Sequence, residues 1–405
     1  MKFINNIEEK KYDSFVKNHN LGNMMQASKW EKIKDTWNVI RVGVEDDNNE
    51  LIAAAQILER KGLWYIPRGP IMDYTDLKLV SYFLENLKIF AKKQKAKMVK
   101  LDIPKAVKDE EYSNFEKAKE DENKDELLQV FRKNGYKHKG FSKDMAATIQ
   151  PRFNTVTKLD GTIPEIFPKA TRRLIRDADN KFVEVERKGI DGLEDLMHAL
   201  ECTEKRKNIA LRGQNYFKKL IEVFKENCLL YISYVDIDKA LESIYKKIAD
   251  LEQEITELEG KSPKKLHKLE EQKQSAQILK KTFEELQKQG LSGRNVISAA
   301  ITITYGTHAE ILYAGMDDKF KKLPAQYKVF SETMQQAENM GAKEVSMGGI
   351  EGDLNDSLLG FKSKFAPNIV EYYGEFDLEI SKTFAFMYNY GLPLRKKILK
   401  LMKKI

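Results

Sequence analysis

Tyr65-Ile66-Pro67-Arg68-Gly69-Pro70-Ile71-Met72-Asp73-Tyr74, then a helix-forming stretch from Leu77 to Lys92, then Ala96-Lys97-Met98-Val99-Lys100-Leu101-Asp102, reads as strand, polar turn, helix, strand. The same order returns later in the chain. Tyr313-Ala314-Gly315-Met316-Asp317-Asp318 leads into a helical stretch from Ala325 to Asn339 and then into Ala342-Lys343-Glu344-Val345-Ser346-Met347-Gly348. A repeated strand-helix-strand unit predicts two related α/β domains, with a cleft between them where two substrates could meet. A two-substrate transferase is the first reading of such a chain.

Bulk composition agrees with a folded, soluble chain. At 405 residues and 41% hydrophobic content there is material for two domains with full cores. The only two cysteines, Cys202 and Cys228, lie far apart without metal-ligand spacing, so neither a zinc site nor a disulfide framework is expected. Met1 to Lys11 carries charge where a signal peptide needs an apolar core, and no run approaches the roughly 18 apolar residues of a membrane span. The expected setting is the reducing cytoplasm.

The 70 Lys and Arg against 62 Asp and Glu leave a net charge of +8, which gains meaning where it is concentrated. From Leu394 to Ile405 basic residues alternate with Leu394, Ile398, Leu401 and Ile405 on one helical face, a pattern that suits either an anionic membrane surface or a helix docked on the body. Lys169, Arg172, Arg173, Arg176 and Lys181 form a second cluster, fit for phosphate contacts or simply a solvated face.

The middle of the chain follows another rule. Leu241, Ile244, Ile248, Leu251, Ile255 and Leu258 alternate spacings of three and four, a heptad seam. Gly260-Lys261-Ser262-Pro263 then supplies a helix stop, a cap and a first-turn proline, and the return helix carries Leu266, Leu269, Ala276, Phe283 and Leu286, with Lys273 interrupting. These residues predict an antiparallel coiled-coil hairpin over 237–288, inserted between strands at Leu229 to Val235 and Val296 to Thr304. It serves either long nucleic acids or dimerisation.

Several further stretches carry a family resemblance: Trp30-Glu31-Lys32-Ile33-Lys34 with Trp37, the Tyr65 to Tyr74 stretch, and Thr148-Ile149-Gln150-Pro151-Arg152. The second half adds Arg212 with Tyr216-Phe217, Leu312-Tyr313-Ala314-Gly315, Gly348-Gly349-Ile350-Glu351, Phe361-Lys362 and Tyr373-Gly374-Glu375. In order and spacing the chain resembles the FemABX family of peptidoglycan branching enzymes, in its MurM and FemX types, over essentially its whole length. The resemblance implies an α/β (α+β) fold of two acetyltransferase (GNAT)-like subdomains with the coiled-coil hairpin inserted in the second. Subdomain 1 would be 1–153 plus 375–405, and subdomain 2 would be 154–374.

It also implies the reaction, transfer of a small amino acid (Ser, Ala or Gly) from aminoacyl-tRNA to the side-chain amine of the stem-peptide lysine. The acceptor would be lipid II or UDP-MurNAc-pentapeptide, and the product an interpeptide bridge of a Gram-positive cell wall. Peripheral contact with the cytoplasmic membrane would fit the basic tail. The rival readings are an aminoacyl-tRNA-dependent transferase acting on a lipid headgroup or a protein, and a non-catalytic tRNA-binding scaffold.

An aminoacyl ester is already activated, so its aminolysis needs no cofactor and no protein nucleophile. It needs a neutral amine, an oriented ester and stabilisation of a developing oxyanion. No Ser-His-Asp or Cys-His arrangement stands out among the five histidines. By resemblance Lys362 matches the family lysine near the tRNA acceptor end, Lys34 and Arg212 match phosphate-contacting positions, and Tyr216 and Tyr313 match tyrosines lining the acceptor pocket. Asp102 and Glu375 match acidic positions considered for the base, and the departing ribose oxygen could take the proton instead. No Gly-rich turn of the kind that holds a coenzyme A pyrophosphate follows a predicted strand, so an acetyl-CoA donor is disfavoured.

Overall fold

The structure is a computed structural model and describes residues 1–258 and 262–391. Gly260 and Lys261 of the hairpin turn, and the basic segment from Leu394 to Ile405, lie outside the described residues. The chain divides into two compact units: unit 1 comprises Met1–Asp160, Ile303–Glu310 and Met340–Ile405, and unit 2 comprises Gly161–Thr302 and Ile311–Asn339.

The strands in chain order are β1 (Lys2–Asn5), β2 (Asn38–Glu45), β3 (Leu51–Arg60), β4 (Leu63–Ile66), β5 (Ile71–Met72), β6 (Met98–Glu111), β7 (Lys137–His138) and β8 (Phe153–Lys158). They continue as β9 (Glu184–Lys188), β10 (Cys228–Asp236), β11 (Arg294–Tyr305), β12 (His308–Met316), β13 (Glu344–Gly349) and β14 (Asn368–Glu379). In unit 1 the order across the sheet is β1-β2-β3-β4-β6-β14-β8-β13, with β5 against β3 and β7 against β14. The first residues of β12, His308 to Glu310, add to β13 in parallel.

Both copies of the sequence repeat take the same form. β4 and β6 pair in parallel, joined by the helix Leu77–Lys93, while β12 and β13 pair in parallel across a connection containing the helix Ala325–Asn339. Parallel neighbours need such a crossover, because a tight turn can only reverse the chain. The first crossover helix starts where Asp76 accepts hydrogen bonds from the N–H groups of Lys78 and Leu79, and Lys92 and Lys93 occupy its last turn. Its Leu79, Phe83, Leu87 and Ala91 recur every fourth residue, with Val80 and Leu84 beside them, and all are buried in the unit 1 core with Val99, Leu101 and Phe376.

Strand β14 is inserted between β6 and β8, antiparallel to both. Its long pairing with β6 sets Glu375 opposite Asp102 and Asp377 opposite Lys100. The register shifts between Tyr372 and Gly374. Gly374 has φ +84° and a Cβ there would meet Arg152 Cδ at 2.9 Å, so the residue must be glycine for the bulge to form against that arginine.

Within unit 2 the strand order is β9-β10-β11-β12. The helices Ile237–Leu258 and Pro263–Lys288 leave β10 and return to β11 as the antiparallel hairpin. Ser262 stands at the cap position of the second helix with extended backbone; its carbonyl accepts from Leu266 N–H at 2.9 Å, but its side chain makes no capping hydrogen bond. The seam changes character along its length. At the base Leu241, Ile244, Phe283 and Leu286 sink into the unit 2 core with Ile297, Phe320 and Leu323. Farther out only Leu251, Leu269 and Ala276 are buried, Ile255, Leu258 and Leu266 are half-buried, and Lys273 answers Glu252 at 2.8 Å.

Candidate active site

Unit 1 buries an unusual number of ionised groups on adjoining strands. Lys100 and Asp102 lie on one face of β6, Glu375 and Asp377 on the facing positions of β14, and each is less than 5% exposed. Charges are brought indoors only when paired, and most of these are. Lys100 Nζ donates to Glu375 Oε2 at 2.7 Å and to Asp377 Oδ1 at 2.6 Å. Burial alone would weaken that ammonium, yet the two carboxylates leave its pKa raised. The second oxygen of Glu375 accepts from the Ile149 N–H at 2.5 Å.

Asp102 is the exception. It is fully buried, and neither carboxylate oxygen has a hydrogen-bond partner. The nearest cation is Arg68, with Nη1 at 3.6 Å from Oδ1. Desolvation raises the Asp102 pKa, Arg68 opposes it and the neighbouring Glu375 adds to it, with the result pushed up to about 6. A carboxyl group set that near neutrality can hold or release a proton under physiological conditions.

Arg68 is placed by the turn that the sequence quoted first. Pro67 accepts from Gln26 Nε2 at 2.7 Å, Gln26 Oε1 is held in turn by the Tyr12 hydroxyl and the Gln56 N–H, and Gly69 N–H donates to the Asp102 carbonyl at 2.9 Å. Between those anchors Arg68 takes φ +45°, a left-handed backbone that a residue with a Cβ adopts only at a cost. Its guanidinium lies over the Tyr372 ring, 4.2 Å from the centroid, and Nη2 donates to the Pro151 carbonyl at 2.9 Å. In the amide orientation that satisfies both its ends, Asn154 also accepts from Nη2, at 3.1 Å.

Arg68, Tyr372 and Asn154 wall a small cleft, open to solvent and completed by Tyr305, His308, Glu310, Glu344 and Ser346. Lys362 belongs to the same unit. It ends the short helix Ser357–Lys362, capped by Asp356, whose side chain accepts from the Leu359 N–H. The lysine is 8% exposed, its Nζ donates to the Gly349 carbonyl at 2.7 Å, and burial lowers its pKa to about 8 against the opposing pull of Asp356 and Glu310. Glu310 acts electrostatically on Lys362 and on Arg68. Asp102, Arg68, Glu310 and Lys362 therefore form one chain of mutually felt charges.

The remaining residues singled out in the sequence stand as follows. Lys34 ends the short helix Trp30–Ile33 in unit 1, half-buried, with Nζ 5.3 Å from the Trp30 ring centroid. In unit 2 Tyr216 and Tyr313 meet edge to face at 6.0 Å, both also against buried Phe217, and the exposed Arg212 guanidinium lies 5.6 Å from the Tyr216 ring. Asp102, Glu375, Lys362 and Lys34 thus belong to unit 1, where Asp102 and Glu375 are paired across the strands, and Arg212, Tyr216 and Tyr313 belong to unit 2. In the basic cluster Lys169, Arg173 and Arg176 are exposed on the helix Lys169–Asn180, while Lys181 pairs with Asp177 at 2.9 Å.

Arg68 and Tyr372, Lys100 and Asp377, and Glu310 had no role assigned from the sequence. For the strand charges a signal exists: Lys100-Leu101-Asp102 and Glu375-Phe376-Asp377 each repeat charge with the period of one strand face, inside otherwise apolar runs. Cysteine spacing also gave no hint of a grouping in unit 2, where His198, Cys202 and Asp317 bring ligand-type atoms within 4.8 Å of one another. His198 Nε2 is 3.7 Å from Asp317 Oδ2 and 3.9 Å from Cys202 Sγ, while the Asp317 side chain caps the turn at Lys319.

The mixed α/β fold with its helical hairpin, and a site of buried carboxylates, lysines and an arginine, define a class that comparison makes specific. The FemAB family model matches residues 7–391, and the chain belongs to the FemAB family. It is similar to lipid II:glycine glycyltransferase of Staphylococcus aureus, 26% identical with 98% of each chain covered, and to that of Staphylococcus haemolyticus, 27% identical with 99% of this chain and 98% of the relative covered. Among solved structures the crystal structure of FemX superposes with a TM-score of 0.75 at 25% identity, covering 96% of this chain and all of that one. The chain is by family an enzyme of the aminoacyltransferase type. No helix among the described residues is long and apolar enough to cross a membrane.

Proposed function

We propose that this chain transfers a small aminoacyl group, with glycine, serine and alanine the candidates, from aminoacyl-tRNA to the lysine side-chain amine of a peptidoglycan stem peptide. The observation that supports the reading is the buried Asp102 carboxylate, without a hydrogen-bond partner and 3.6 Å from Arg68 Nη1 on the unit 1 cleft, with the buried Lys362 in the same unit; burial raises the carboxyl pKa to about 6 and lowers that of the ammonium to about 8. Family membership supplies the reaction type, and the relatives' names supply lipid II as acceptor and glycine as donor.

In this reading the attacking amine adds to the ester carbonyl and gives a tetrahedral intermediate. The C–O bond to the tRNA ribose breaks, the ribose oxygen takes a proton, and the amine nitrogen gives one up. Lys362 stabilises the oxyanion, and its desolvation strengthens that interaction. Asp102 is the proton acceptor best matched to neutral pH, while Glu375, engaged by Lys100 and the Ile149 N–H, fixes the surrounding strands. Lys34 and Arg212 bind acceptor phosphates, Arg212 with a fork that can engage two oxygens, and Tyr216 and Tyr313 line the acceptor pocket.

The test is transfer of radiolabelled amino acids from a mixed pool of charged tRNA to lysine-containing lipid II and, separately, to UDP-MurNAc-pentapeptide, with mass spectrometry of the product. Label on the stem-peptide side-chain amine is expected. Transfer only to another acceptor, or from no charged tRNA at all with folded protein, overturns the reading. Lys362→Met should lower turnover by about 100- to 1,000-fold, the usual loss for one oxyanion donor, with its circular dichroism spectrum unchanged.

A further inference from the structure

Among the described residues that line the unit 1 cleft, Glu310 is a carboxylate without a hydrogen bond or ion pair. It stands on β12 opposite Ser346 of β13 and lines the cleft with Arg68, Tyr305 and Tyr372. The other charged groups there are already occupied. Arg68 is held by Asp102, Pro151 and Tyr372, and Glu344 takes the His308 Nδ1 hydrogen bond at 2.7 Å as well as an ion pair with Lys158. Among the described residues Glu310 makes no salt bridge and no side-chain hydrogen bond, and only the longer-range charges of Arg68 and Lys362 reach it. Glu310 is half-buried on the cleft wall, so its carboxylate meets the cleft's solvent and is open to a bound cation as its partner.

Resting on the function proposed above, we infer that Glu310 anchors the α-ammonium of the aminoacyl donor in this cleft. The chemistry of the neighbours selects that ligand. A divalent metal ion would want several oxygen ligands, whereas one free carboxylate suits one primary ammonium. An α-aminoacyl ester carries its ammonium two bonds from the carbonyl carbon, so an acid that grips the amine fixes the carbonyl beside it.

The acceptor lysine offers a primary ammonium too, but that amine must become neutral to attack. A carboxylate gripping it would hold it protonated and slow the reaction. The unreactive amine of the donor is the one that gains from a fixed charge.

The experiment uses two tRNA acceptor-stem minihelices ending in 3′-amino-3′-deoxyadenosine, one bearing a glycyl amide and the other an N-acetylglycyl amide, neither of which can be transferred. Wild-type protein should bind the free-amine form at least tenfold tighter. Glu310→Gln should abolish that preference while leaving acceptor KM unchanged, and Glu310→Asp should restore part of it. Equal binding of the two minihelices by the wild type overturns the inference without any variant, so it stays testable even where Glu310→Gln fails to fold. A preference that survives in folded Glu310→Gln overturns it as well, and so does a rise confined to acceptor KM, which would assign the carboxylate to the lysine amine. Wild-type transfer measured alongside separates the two levels: its absence defeats the proposed function, and its presence with either negative result defeats only the role of Glu310.

Discussion

Asp102 holds its charge in a place where folding would rather it did not. The distance between the ordinary carboxyl value of 3.8 and about 6 corresponds to about 3 kcal/mol. The sign follows from proton counts. Below about pH 4 the group is protonated in both the folded and unfolded states and costs nothing. Between about pH 4 and 6 the unfolded chain has released the proton that the folded one retains, so stability falls as pH rises. Above about pH 7 both states are ionised and the penalty is level. Asp102→Asn removes this titration, so its stability relative to wild type should climb by up to about 3 kcal/mol across that window and then stay flat. Thermal melts of both proteins from pH 4 to 8 check it; a stability difference independent of pH would mean that Asp102 is not the buried titrating group. Asp102 and Glu375 could be singled out in the sequence because they matched acidic positions of a family pattern. Glu310 was not, since an acid in the alternating stretch His308-Ala309-Glu310-Ile311 reads as an outward residue of a strand, and only the packing around it shows a cleft wall.

Secondary structure was the most legible level, because periodicity is a local property. The spacing of three and four in Leu241, Ile244, Ile248 and Leu251 can be satisfied only by a helix with one covered face, and the turn residues mark where it reverses. What the pattern could not say is how the seam is shared between the hairpin itself and the body of unit 2. Phe283 is fully buried, edge to face with Phe182 at 6.2 Å and packed with Leu241 and Ile244, whereas beyond Leu251 the hairpin packs mainly on itself. Truncating Phe283 to alanine should therefore destabilise the protein by about 3–5 kcal/mol, as for other fully buried aromatics. Excising 252–273 and closing with a short turn should leave the melting temperature of the body nearly unchanged. That shortened protein is also the right vehicle for asking whether the hairpin holds tRNA, since a cut from Asp238 to Gln287 would remove core residues with it. A melting temperature equally depressed by both changes would show that the outer hairpin is part of the cooperative core.

At the scale of the whole molecule, which segments assemble is decided by strand pairing between residues far apart, and local pattern does not encode it. Nothing around Glu375 announces that it will face Asp102, and the bulge at Gly374 that sets this register is visible only once Arg152 is seen against it. Charge, by contrast, can be summed directly from the sequence, and a net +8 should draw the chain toward a polyanion. If the exposed Lys169, Arg173 and Arg176 each displace a counterion from tRNA, the three contacts alone give a slope of about −2 to −2.7 in log kcat/KM against log salt. Raising monovalent salt from about 50 to 200 mM would then cost about 20–40-fold from these residues. Replacing all three with glutamine should make donor kcat/KM lower at 50 mM salt and flatten its decline, while a donor truncated to an aminoacylated trinucleotide should show little difference between the two proteins. An unchanged slope for full-length tRNA would move the nucleic-acid contact away from this helix, because a phosphate contact cannot be removed without removing the counterion release that accompanies it.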